Sequence, residues 1–207
     1  MLELFGQAAS INVRKVLWTL DELGLVCQRH DVGGAFASPD TPQFRAMNPN
    51  AQVPVLRDGD LVLWESNTIC RYLAGRAGRD DLLPSAPAAR AMVEQWMDWQ
   101  ATDLNTAWRY AFMARVRHSP RHDDPAAIAE SAGSWNRLMG ILDGQLARTG
   151  AHVAGRDFTL ADIVIGLSVQ RWLHTPIERP SLSAVMAYYA RLQQRPAFVR
   201  HGANGLP

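Results

Sequence analysis

Apolar and polar positions keep one rhythm over the first eighty residues and another thereafter. The segment LELF at 2–5 reads as a short strand. From Asn12 onward, Val13, Val16, Leu17, Leu20 and Leu23 recur at helical spacing, and Gly24 follows as a stop. VCQRHDV at 26–32 is a second strand. SPDTPQFRAMNPN at 38–50 is turn-rich, with one short helical turn at 42–46. VPVL and LVLW then flank RDGD, and an Asp-Gly pair between two apolar runs signals a hairpin. ESNTICRYLAGRAG closes the region as a helix with Ile69, Tyr72 and Leu73 on one side. The order is β-α-β-α-β-β-α, which joins a parallel pair with a crossover helix to an antiparallel hairpin.

After this unit the strand signal fades. The Pro, Gly and charged residues of 78–87 read as a linker between an α/β domain at 1–77 and an all-helical domain at 88–207. Helices are expected at about 87–117, 125–148, 160–173 and 181–194. In DFTLAD, Thr159 and Asp162 have the spacing of a capping box, with Phe158 placed for a hydrophobic staple.

Composition narrows the function classes. Hydrophobic residues make up 47% of the 207, enough for a sizeable core. Lys plus Arg is 21 and Asp plus Glu is 20, a formal net charge of +1, so no strong field draws the chain to nucleic acid or an anionic membrane. No apolar run is long enough to span a bilayer, and no secretory leader is visible. Cys27 and Cys70 form no CxxC, which argues against a disulfide scaffold or a zinc site and for two buried thiols in a reducing cytoplasm. His118 and His122 have no evident third ligand.

Three short signals carry chemistry. Ser10 and Asn12 stand where the first helix opens. They are read either as caps for orphan N–H groups or as donors to an anion held at the positive helix end. Val53-Pro54 enters a strand. It is an edge-strand proline or, with a cis bond, a turn that faces the Val53 backbone outward to pair with an extended peptide. Glu65 and Ser66 lie where a strand gives way to a helix. Capping explains Ser66 but not Glu65; together they suit an amino-acid head group, with amides for the carboxylate and Glu65 for the ammonium.

The order and spacing of Ser10, Val53-Pro54 and Glu65-Ser66, followed by FTLADI and RLQQRPAF, resemble the cytosolic glutathione transferases over nearly the whole chain. The resemblance implies a thioredoxin-like N-terminal domain, an all-helical C-terminal domain, and glutathione as co-substrate with no tightly bound cofactor. Members use Tyr, Ser or Cys to stabilise the thiolate. All four tyrosines here lie late and neither cysteine is in the opening loop, so the serine-type pattern applies, as in bacterial and theta-like members. Ser10 would hold the thiolate, with Asn12 assisting. Val53, beside Pro54, would bind the cysteinyl backbone, Glu65 and Ser66 the γ-glutamyl end, and Gln52 a glycyl or backbone oxygen. The loop at 35–42 lacks the basic residue many relatives use for the glycyl carboxylate, so affinity for the glycyl end is expected to be weaker or to come from another residue, such as Arg14 or Arg45. The opening also lacks the Ser-Ser-Cys of maleylacetoacetate isomerase-like members.

The second substrate, a small hydrophobic electrophile, would sit between the domains. Met92, Trp96, Trp99, Asp103, Thr106, Tyr110 and Met113 fall at heptad spacing, with Trp96 and Trp99 read as core or dimer packing. Asp103 needs a partner, either an Arg of the same chain or, by resemblance, the γ-glutamyl amine bound in the other subunit of a homodimer. Trp108, Phe112 and Met113 are read as pocket wall or core. The resemblance implies a cytoplasmic detoxifying transferase. A glutathione-dependent disulfide reductase or peroxidase and a non-catalytic binding module are the alternatives.

Overall fold

The computed structural model describes residues 1–205. Strand β1 (Leu2–Phe5) is followed by α1 (Ile11–Leu23), β2 (Cys27–His30), α2 (Pro42–Met47), β3 (Val55–Asp58), β4 (Leu61–Trp64) and α3 (Ser66–Arg76). The four strands form one sheet in the order β2-β1-β3-β4. β1 and β2 are parallel, as a helical crossover demands, and β3 is antiparallel to both β1 and β4. Asp58 pairs with Leu61 across a two-residue turn in which Gly59 takes φ +61°, the left-handed position that a tight hairpin asks of glycine. Leu2, Leu4, Val55 and Leu56 are buried from the sheet, and Val13, Val16 and Leu20 from α1. Gly24 ends α1 at φ +64° and donates to Leu20 O and Asp21 O, a C-terminal cap that glycine adopts without strain.

From Pro87 on, every element is helical: α4 (Pro87–Trp99), a π-helical turn (Gln100–Leu104), α5 (Asn105–Arg115), α6 (Pro125–Thr149), α7 (Leu160–His174), α8 (Ser183–Leu192) and α9 (Pro196–His201). The expected helical region, 88–207, ends on Leu206 and Pro207, which lie outside the described residues. α7 is the axis of the structure, with Ile163, Val164, Ile165, Leu167 and Val169 all fully buried. The capping box at its start is formed, and Asp162 also accepts from Val153 N at 2.9 Å and the Tyr188 hydroxyl at 3.0 Å. Leu160 N donates to Leu82 O at 2.9 Å, and Trp18 of α1 packs 5.8 Å from Phe158. These contacts join the sheet-bearing half to the helical half.

The structure departs from the sequence reading in three places. β2 is shorter than 26–32, because Val26 is 90% exposed and anchors nothing. Cys70 is buried, but Cys27 is only partly so. The expected single helix over 87–117 is broken by the π turn, whose extra residue shifts the register of everything after it. The buried face is therefore Val93, Met97, Gln100, Leu104, Ala111 and Phe112, while Met92, Asp103 and Thr106 of the heptad series are exposed. Trp96 and Trp99 pack edge to face at 5.2 Å, half-buried against the core.

Candidate active site

Ser10 holds the N-cap position of α1 in extended backbone (φ −75°, ψ 125°), yet its hydroxyl bonds no helix N–H. The capping alternative is not realised, and Ser10 itself lines neither of the two clefts described below. No acidic residue occupies the first turn of α1, so its partial positive charge is not neutralised locally. Asn12 reaches across to α3, where its Oδ1 accepts from Ser66 Oγ at 3.4 Å. Ser66 opens α3 and is buried. The N-termini of α1 and α3 thus converge on one spot.

A cleft of about 350 Å³ opens there, bounded by Asn12, Asn50, Gln52, Val53, Pro54 and Glu65. The Val53–Pro54 bond is cis. Among the described residues neither the Val53 N–H nor its C=O takes a hydrogen-bond partner, so the strand edge before β3 has an open pair of backbone groups. The loop leading to it is pinned by buried Asn48, which donates to Gln52 O at 2.8 Å and accepts from Asn50 N at 3.0 Å. Asn48 and Asn50 both border the cleft; in the sequence they read only as part of a turn. Glu65 is exposed at the rim with φ +70°, a region that costs an L residue roughly 1–3 kcal/mol and is held only where the surroundings impose it.

A second cleft, about 470 Å³, adjoins the first through Asn12 and Gln52 and runs between α1 and the π turn, bounded by Ile11, Ala101, Asn105, Trp108 and Arg109. Of the three expected wall residues, Trp108 borders it. Phe112 is buried behind, edge to face with Trp108 at 5.2 Å. Met113 is half-buried and borders neither cleft. Asp103 lies apart, exposed on the π turn, accepting from Thr102 Oγ1 at 3.0 Å. No ion pair joins it to any described residue, so the same-chain Arg alternative falls. Arg45 bonds Asp40 at 2.7 Å and Pro49 O at 3.1 Å, Arg14 is buried, and neither borders the first cleft. His122 bonds Ser119 Oγ at 2.8 Å, and no cluster of three metal-ligating side chains occurs among the described residues.

The profile of the glutathione S-transferase N-terminal domain matches residues 1–75. Glutathione S-transferase GstB of Escherichia coli K12 is 39% identical over 199 residues, 95% of each chain. The chain belongs to the glutathione S-transferase family. Glutathione S-transferase 3 of Zea mays is 34% identical over 205 residues, 95% of this chain and 91% of its own. The crystal structure of a theta class glutathione S-transferase from Xanthomonas axonopodis pv. citri, solved with glutathione bound, superposes with a TM-score of 0.92 at 41% identity, over 100% of this chain and 99% of that one.

Behind the two clefts this glutathione S-transferase carries a buried polar network that joins its halves. Lys15, on α1, is 1% exposed. Its ammonium donates to Gln100 Oε1 at 2.7 Å and Asn67 Oδ1 at 3.3 Å. Gln100 in turn donates to Ser168 Oγ at 3.0 Å and Asn105 Oδ1 at 3.1 Å, and Asn105 also accepts from Trp108 Nε1 at 3.1 Å. Asn67 donates to Met97 O at 2.8 Å. The network therefore runs from the start of α3, beside Ser66, to the Trp108 wall. Burial pushes the Lys15 ammonium down to about 8, opposed in part by the Cys70 thiol. Sequence reasoning missed Lys15, Asn67 and Gln100, since the burial of each depends on partners far along the chain.

Proposed function

We propose that the protein is a glutathione transferase in which Ser10 donates a hydrogen bond to the glutathione thiolate at the N-terminus of α1. The observation that carries this reading is the Ser10 hydroxyl, at an N-cap but bonded to no helix N–H. A thiol with a pKa of about 8.5 is mostly protonated at pH 7. A hydroxyl donor and a helix N-terminus both favour its anion. Asn12 assists from the adjoining turn. The backbone of Val53, next to Pro54, pairs with the cysteinyl residue, Glu65 and the amides at Ser66 hold the γ-glutamyl ammonium and carboxylate, and Gln52 meets the glycyl end. The thiolate attacks an electrophilic carbon of a small hydrophobic molecule lying against Trp108. The carbon–sulfur bond forms as the leaving group departs with its electron pair. The enzyme acts in the cytoplasm as a detoxifying homodimer, in which exposed, unpaired Asp103 reaches the ammonium of glutathione bound to the partner.

The test is ultraviolet titration of the enzyme-bound thiolate. Ser10→Ala is expected to raise its pKa by at least one pH unit and to lower kcat/KM for 1-chloro-2,4-dinitrobenzene by about tenfold or more. An unchanged titration removes Ser10 from this role.

A further inference from the structure

Asn105, at the start of α5, borders the second cleft and is held so that one of its polar atoms is left over. Its Oδ1 accepts two bonds, from Gln100 Nε2 and from Trp108 Nε1, each at 3.1 Å. Its Nδ2 donates to no described residue and is not sealed inside the protein.

The direction of these bonds is set at both ends by groups that can only donate. At one end is the Lys15 ammonium, which has three donors and no acceptor. It donates to Gln100 Oε1 at 2.7 Å, so Gln100 Nε2 turns away, to Ser168 Oγ at 3.0 Å and to Asn105. At the other end is the Trp108 indole N–H, also a donor only, so Asn105 must offer it oxygen. Turning the Asn105 amide over would set Nδ2 against two donors. The Gln100 amide, fully buried, would then keep the desolvation cost of a bond unmade. The Asn105 oxygen is therefore committed, and its N–H pair is left to the cleft. Other polar groups there are less fixed. Thr106 Oγ1 is spent on Thr102 O at 2.7 Å, and Arg109 is exposed. Asn12, two residues after Ser10, borders the same cleft, so on the transferase reading the thiolate meets the second substrate from that side.

We propose that Asn105 selects the second substrate by donating from Nδ2 to the oxygen of an electrophile activated by a conjugated carbonyl. This rests on the transferase reading above and adds a residue and a substrate class to it. The thiolate bonds to the β-carbon, the carbon–carbon π pair shifts toward the carbonyl, and the oxygen gains the negative charge of an enolate. The α-carbon then takes a proton from water, which balances the proton that the thiol gave up, and no leaving group is needed. A donor fixed in advance beside that oxygen favours the enolate over the ketone. The apolar body of the substrate lies on Trp108.

Two reactions that share the thiolate separate this donor from the glutathione site. The enone trans-4-phenyl-3-buten-2-one offers a carbonyl oxygen, and benzyl chloride offers none. Asn105→Asp keeps an acceptor for Gln100 and Trp108 but loses the N–H pair. The ratio of kcat/KM for the enone to kcat/KM for benzyl chloride is expected to fall about tenfold or more in this variant. Any effect of the new charge on the thiolate enters both rates and cancels. A second measurement needs no variant. S-(3-oxobutyl)glutathione and S-(3-methylbutyl)glutathione have nearly the same shape, and only the first carries an oxygen on its S-alkyl chain. Calorimetry on the wild type is expected to show the ketone binding about threefold more tightly, where a purely apolar wall favours the branched alkyl chain. An unchanged rate ratio in the variant, or tighter binding of the alkyl ligand by the wild type, overturns the role of Asn105 while leaving the glutathione site standing. Failure of S-methylglutathione to bind overturns the transferase reading and the role of Asn105 with it.

Discussion

At the scale of single residues, Lys15 makes the folded state depend on pH. Its ammonium is pushed from the usual 10.5 to about 8 by burial, so between those values the unfolded chain binds more protons than the folded one. The contribution of Lys15 to stability must then rise with pH across this window, by up to about 1.4 kcal/mol per unit. Below pH 8 the charged lysine is a constant penalty on folding, and above it the penalty is progressively lost. In Lys15→Met this contribution disappears, and what is left includes the opposite trend of the Cys70 and Cys27 thiols, which burial pushes up to about 11. Urea unfolding of both proteins from pH 7 to 10 is expected to show the wild type gaining about 2–3 kcal/mol on the variant; a constant difference would mean that the lysine does not titrate there. Legibility at this scale divides on locality. Ser10, Val53 and Glu65 were readable because each stands where one element gives way to another, and a hydroxyl, a pre-proline residue or a carboxylate there has few ordinary uses. Lys15 and Arg171 were not. Each is one polar residue within a helical run, and what buries it is Gln100, 85 positions on in one case, and Trp108 and Phe112 in the other.

At the scale of elements, α1 and α7 cross at Gly166. A Cβ built there would meet Leu192 Cδ1 at 2.6 Å and the Trp18 ring at 3.1 Å. The leucine tip can rotate away, but the indole is fully buried and has nowhere to go. Gly166→Ala is therefore expected to destabilise the protein by about 1–2 kcal/mol despite the better helix propensity of alanine, read as a lower denaturation midpoint with an unchanged slope. The capping box at Thr159 was visible in sequence because its spacing is a property of one turn. The closing of that turn by Tyr188 and Val153 was not, since it needs α8 and the preceding loop to be in place. The π turn was equally hidden, as its residues, QATDL, have no pattern of their own. What fills it is Gln100, bonded to partners on three other segments.

At the scale of the whole molecule, the strand order followed from two local rules, a helical crossover for the parallel pair and a glycine turn for the antiparallel one. The proposed association of two chains follows from neither. If Asp103 serves a partner's glutathione, Asp103→Asn is expected to raise the KM for glutathione several-fold with little change in kcat, in a protein that still sediments as a dimer; an unmoved KM would return the residue to the solvated surface. The extra residue between α4 and α5 has a broader consequence. A π turn fits five residues into about the rotation that four take in an α-helix, so a gene shorter by a single codon at Ala101 would make this stretch a regular helix and leave Trp108 and Arg109 at the bearings they now hold. A one-codon change there would therefore act on the buried bonds of Gln100 to Lys15, Ser168 and Asn105 while the indole beyond it kept its aim.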